Sequence, residues 1–87
     1  MANYKVTFKN SVLKDLKLVP KSDIQKILKK IDSIAENPYM IGAIKLSGND
    51  FYRVRQGMYR IVYEIRDNEL IVNVIRIGHR SSVYKNT

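Results

Sequence analysis

Tyr52-Arg53-Val54-Arg55-Gln56-Gly57-Met58-Tyr59-Arg60-Ile61-Val62-Tyr63 is the stretch that decides the fold. Strand-forming residues flank a single glycine, the pattern of two strands joined by a tight turn. With Gly57-Met58 as a two-residue turn, Arg55 lies opposite Arg60 and Arg53 opposite Val62. Side chains alternate across a strand, so Arg53, Arg55 and Arg60 share one face. Tyr52, Val54, Ile61, Tyr63 and Ile65 then take the other. Like charges directly opposed weaken a strand pair. An anion laid across them removes that penalty, and each guanidinium can give a phosphate two parallel hydrogen bonds.

The meander extends outward from this hairpin. Asp67-Asn68-Glu69 predicts a second turn, followed by a strand over residues 70–77 that is apolar on both faces, as a central or covered strand is. Upstream, Gly42, Gly48, Asn49 and Asp50 mark a loop around a short strand over 43–46. The N-terminal half reads differently. Tyr4-Lys5-Val6-Thr7-Phe8 alternates as a strand, after which Asn10 or Ser11 is expected to cap a short helix with Val12, Leu13 and Leu16 inward. Pro20 separates it from a second helix, where Ser22 and Gln25 resemble a capping box. Ile24, Ile27, Leu28, Ile31, Ile34 and Ala35 repeat at helical spacing up to Asn37-Pro38, with Lys26, Lys29 and Lys30 outward. The expected fold is α+β, a single domain over 1–87. Its two N-terminal-half helices pack on one face of an antiparallel sheet of four or five strands.

Charge is the strong compositional fact. Sixteen Lys and Arg stand against eight Asp and Glu, a formal net charge of +8. That balance points to a polyanionic partner, either nucleic acid or an acidic protein. The ten lysines scatter over both halves, whereas all six arginines fall from Arg53 onward. Arginine suits specific phosphate contacts, so a nucleic-acid site is expected in the second half. There is no cysteine, no signal-like leader and no run of about 18 apolar residues. A cytoplasmic protein without membrane attachment is the expectation.

Gly78-His79-Arg80-Ser81-Ser82-Val83-Tyr84 follows the last strand, where a glycine can turn the chain sharply. His79, Arg80 and Tyr84 are each unremarkable alone, and they gain weight if this tail folds back across the arginines. With one histidine and no acidic cluster at ligand spacing, a catalytic metal is not expected. No glycine-rich phosphate loop precedes a helix, which argues against nucleotide-triphosphate chemistry. Nor is there a nucleophilic serine or cysteine motif.

Taken together, Lys45-Leu46-x-Gly48, the 52–63 stretch and Gly78-His79-Arg80-x-x-Val83-Tyr84 resemble the RelE/ParE toxin superfamily, on the RelE side. The resemblance covers nearly the whole chain and implies the RelE-like microbial ribonuclease fold. It implies a toxin of a type II toxin–antitoxin pair, a ribosome-dependent mRNA endonuclease that needs no cofactor. Such toxins enter the A site of the 30S subunit, against mRNA and rRNA, and the 2′-hydroxyl attacks the adjacent phosphodiester. By the same resemblance Arg60 and Arg80 match scissile-phosphate arginines, and Tyr84 a tyrosine that orients substrate or moves a proton. Arg53 and Arg55, and with them Lys45, match substrate-binding basic positions, and His79 a further proton-transfer position. The implied partner is an acidic, RelB-like antitoxin, in a hetero-oligomeric complex. Two other readings stay open: a ParE-like inhibitor of DNA gyrase, and a catalytically weak basic module that binds RNA or an antitoxin.

Overall fold

A computed structural model describes residues 3–46 and 50–79 of the chain. Strand β1 (Lys5–Phe8) leads into helices α1 (Asn10–Lys17) and α2 (Lys21–Glu36). Strands β2 (Ile44–Lys45), β3 (Phe51–Gln56) and β4 (Tyr59–Arg66) follow, then a single 3-10 turn (Asp67–Glu69) and β5 (Ile71–His79). They form one five-stranded sheet in the order β1-β5-β4-β3-β2. All pairings are antiparallel except β1 with β5, which runs parallel. The sheet is therefore mostly rather than wholly antiparallel. The intervening helices carry the chain back to the end where β1 began, which a tight turn could not do. The expected loop residues Gly48 and Asn49 lie outside the described residues.

The 52–63 hairpin has the register read from sequence, with Arg53 paired to Val62 and Arg55 to Arg60. Gly57 has a φ of +59°, the left-handed geometry such a turn demands and glycine supplies. The helix-facing side of the sheet supplies Val54, Ile61, Tyr63, Ile65, Val72, Val74 and Ile77 to the core. Helix α2 adds Ile27, Ile31 and Ile34, and α1 adds Val12. Burying each such aliphatic side chain contributes about 1.5–3 kcal/mol. Tyr63 is fully buried, and its hydroxyl donates to the Pro38 carbonyl at 2.6 Å. Burial first, and the neighbouring Tyr52 second, push its phenol up to about 12.

Four local expectations are corrected. Neither Asn10 nor Ser11 caps α1: Lys9 holds the extended cap position, and its carbonyl accepts from the Val12 amide. Pro20 likewise stands at the cap of α2, its carbonyl accepting from Asp23 and Ile24, so Ser22 lies inside the helix and forms no capping box. Leu13 and Leu28 sit at the edge of their helical stripes and are 58% and 42% exposed. Strand β5 runs to His79 rather than stopping at Ile77, because β4 offers ladder partners as far back as Tyr59. Gly78 is therefore a strand residue and not a turn.

One polar bridge closes the end of the molecule opposite the Gly57 turn. The hydroxyls of Tyr4 and Tyr39 both donate to the Asp67 carboxylate, linking the start of β1, the segment after α2 and the 3-10 turn. These bonds, Tyr39's first, hold the Asp67 carboxyl below the ordinary aspartate range. Bonding to Asp67 raises both phenols in turn. The carboxylate's contribution is complete above its unfolded value of about 3.9 and is lost as pH falls through the depressed folded value. The phenols' contribution is complete below about pH 10 and fades above it. Asp67→Asn should therefore flatten the acid limb of stability against pH, checked by urea unfolding at pH steps from about 4 downward.

The two turns give a paired test of backbone geometry. Leu70, at φ 53° and ψ 48°, is the one non-glycine residue with positive φ among the described residues. A side chain in that region costs about 1–2 kcal/mol. Leu70→Gly should raise the urea midpoint by the equivalent of about 1 kcal/mol, whereas Gly57→Ala should lower it by a similar amount.

Candidate nucleic-acid interface

The helices cover only one side of the sheet, so the other side is where a polyanion can lie. Ladder register places the open-face side chains in two rows running across the strands. Arg55 of β3, Arg60 of β4 and Gly78 of β5 form the first, and Arg53, Val62 and Arg76 the second. Neighbouring strands are about 4.8 Å apart and the rows about 6.7 Å apart, set by the two-residue repeat of a strand. Four arginines thus converge on three adjacent strands.

Their environments differ. Arg55 is exposed, and Arg53 and Arg76 are half-buried. Arg60 is only 2% exposed, the sole buried charged side chain among the described residues. The sequence places it on the open face and carries no sign of its burial. Arg60 projects from β4, which has strands on both flanks. A fixed cation in a water-poor setting acts more strongly on a nearby phosphate than one in bulk solvent. Ion pairs among the described residues join Arg66 to Glu64 at 3.1 Å and to Glu69 at 3.9 Å. They neutralise the far end of β4 and leave Arg53, Arg55 and Arg76 available to a ligand.

Other expected site residues fall elsewhere. Lys45 pairs with Tyr52, so it shares the helix-facing side rather than the arginine face. His79 pairs with Tyr59, and the two rings meet edge to face at 5.7 Å on that same side. The structure therefore does not bring His79 to the arginines. Arg80 and Tyr84 lie outside the described residues.

Sequence reasoning missed Arg76. Regular alternation from Val72 and Val74 would carry Arg76 onto the helix-facing side. A register shift between Val62 and Tyr63 inserts Ile75 as an extra residue in β5, so that Tyr63 pairs with Val74 but Val62 with Arg76. The bulge moves Arg76 to the open face and returns Ile77 to the core. Asp15 of α1 holds it in place, its carboxylate accepting from the Ile77 amide at 3.1 Å. The sequence signal is the spacing Val72-x-Val74-x-x-Ile77, since regular alternation would have forced a guanidinium under the helices.

The family model describing the ParE toxin of the type II toxin–antitoxin system parDE matches residues 6–84. The chain is 35% identical over 86 residues to toxin RelE3 of Methanocaldococcus jannaschii, covering 92% of this chain and 94% of that protein. It is 34% identical over 86 residues to the mRNA interferase toxin RelE of Escherichia coli K12, covering 93% and 90%. Among solved structures, the RelB–RelE antitoxin–toxin complex from Methanococcus jannaschii contains a chain that matches with a TM-score of 0.76 at 27% identity. That match covers 93% of this chain and 98% of the other. With its two-helix, five-stranded α+β fold and these relatives, the chain belongs to the RelE/ParE superfamily of type II toxin–antitoxin toxins.

Proposed function

We propose that this toxin is an endoribonuclease that cuts mRNA in the ribosomal A site. The observation that supports it is the arginine face, on a chain 34% identical to a protein named mRNA interferase. In the proposed reaction the 2′-oxygen forms a bond to the adjacent phosphorus while the bond to the 5′-oxygen breaks. The products are a cyclic phosphate and a free 5′-hydroxyl. Negative charge builds on the phosphoryl oxygens, and arginines already in place stabilise it without reorganising. Arg60 and Arg80 are the proposed scissile-phosphate contacts, with Arg53 and Arg55 on the flanking backbone. A guanidinium stays protonated at any working pH and so supplies charge rather than base. With His79 on the opposite face, Tyr84 is the residue of this chain proposed to move the proton.

A second reading has one observation in its favour: the matching family model is named for ParE, implying gyrase inhibition. Stalled ribosomes carrying a defined mRNA separate the two. Cleavage that requires ribosomes supports the nuclease, and gyrase-dependent DNA breaks support the alternative. In single-turnover cleavage the Arg53→Ala, Arg55→Ala double variant should lose about a hundredfold in rate, equivalent to about 3 kcal/mol of transition-state stabilisation. Arg60→Lys should recover only part of what Arg60→Ala loses, because an ammonium cannot reproduce a two-pronged contact. Arg60 is buried, so thermal melts of both variants accompany the rates.

The proposed partner is an acidic antitoxin of the RelB type, covering the arginine face. Its association rate with the toxin should fall as salt rises from about 0.05 to 0.5 M, since opposed surface charges steer the encounter and are screened over about 10 Å or less. A rate constant independent of salt would remove the electrostatic basis of this pairing.

A further inference from the structure

We propose that Arg76 is a further RNA-contacting residue, gripping a backbone phosphate beyond the cleaved one and extending the substrate path across β5. The inference rests on reading the open face as the RNA site and names a contact that reading does not require. Three observations carry it. Arg76 pairs with Val62 and so shares the face of Arg53, Arg55 and Arg60. The face is reached only through the Ile75 bulge, beside which Asp15 accepts from the Ile77 amide. The guanidinium is half-buried but takes part in neither of the ion pairs among the described residues.

Position defines its role. In the second row Arg53 and Arg76 flank Val62, so the two arginines stand two strands apart, about 10 Å between backbones. That spacing lets each guanidinium take a separate phosphate of the same strand. Strand β1 pairs with β5 only from Ile71 to Val74, so at Arg76 β5 has no strand partner on that side among the described residues. Helix α1, not a strand, borders that edge, where Asp15 accepts from the Ile77 amide. Arg76 is accordingly a binding and positioning residue. Its loss should weaken substrate capture while the chemical step is kept.

The test is binding of a labelled, mixed-sequence 12-nucleotide single-stranded RNA, followed by anisotropy across salt concentrations. Each phosphate contact removed from a single strand lowers the slope of log affinity against log salt by about 0.7. Arg76→Gln should lower the slope by that amount, as Arg55→Gln does. Arg76→Lys should restore it, because the slope counts charges and not their shape. Lys26→Gln, on the outward face of α2, should leave it unchanged. In ribosomal cleavage Arg76→Gln should raise KM several-fold at near-constant kcat. An unchanged slope for Arg76→Gln, with a lowered one for Arg55→Gln, overturns the inference and leaves the nuclease reading standing. A kcat loss matching that of Arg60→Ala also overturns it, since Arg76 would then act at the reacting phosphate. Absence of ribosomal cleavage by the unaltered toxin counts against the nuclease reading, while the salt slopes still decide whether Arg76 meets the phosphate backbone.

Discussion

Strand β4 is the constraint on which the rest of the structure depends. It pairs with β3 from Tyr59 to Glu64 on one side and with β5 from Tyr59 to Arg66 on the other. Arg60, Ile61, Val62 and Tyr63 are all buried, although they point alternately to opposite faces. A strand held on both flanks cannot slip by one residue, because a slip would exchange Ile61 and Tyr63 for Arg60 and Val62 in the core. The register that protects the core is thus the register that sets Arg60 across from Arg55. Fold and candidate site are fixed by one set of hydrogen bonds.

The sheet divides its labour by face. One side carries nearly all the apolar burial and takes both helices, while the other collects arginines from three strands. Concentrating like charge opposes folding, and the ion pairs of Arg66 with Glu64 and Glu69 limit that cost at the end of β4 remote from the Gly57 turn. Near the turn Arg55 stays exposed and takes part in neither of those ion pairs. Under the proposed function an acidic antitoxin and an RNA strand answer the same electrostatic demand, so either occupant would exclude the other.

Much of this was legible in the sequence because the signals were local. The ends of β3 and β4 follow from alternation around Gly57, and the end of α2 from Asn37-Pro38. The misreadings share a cause: a tertiary partner overrode a local cue. Ser22 and Gln25 fit a capping pattern, yet the helix begins after the extended backbone of Pro20. Gly78 looks like a turn former, yet β4 still had Arg60 to offer it as a ladder partner. The phase change at Ile75 depends on Asp15, sixty-two positions away from the Ile77 amide it accepts from, and no short window contains both. His79 and Arg76 were misplaced or overlooked for that one reason.

The parallel pairing of β1 with β5 joins residues 66 positions apart, such as Thr7 and Asn73, whose side chains are hydrogen-bonded at 2.9 Å. Contacts of such long range form late, after shorter loops have closed. During synthesis the first strand made must wait for the last, and the arginine face is itself incomplete until β5 brings Arg76 to it. Edge closure and assembly of the basic surface are therefore one event near the end of translation. A truncated or partly made chain presents the hairpin arginines without the finished platform.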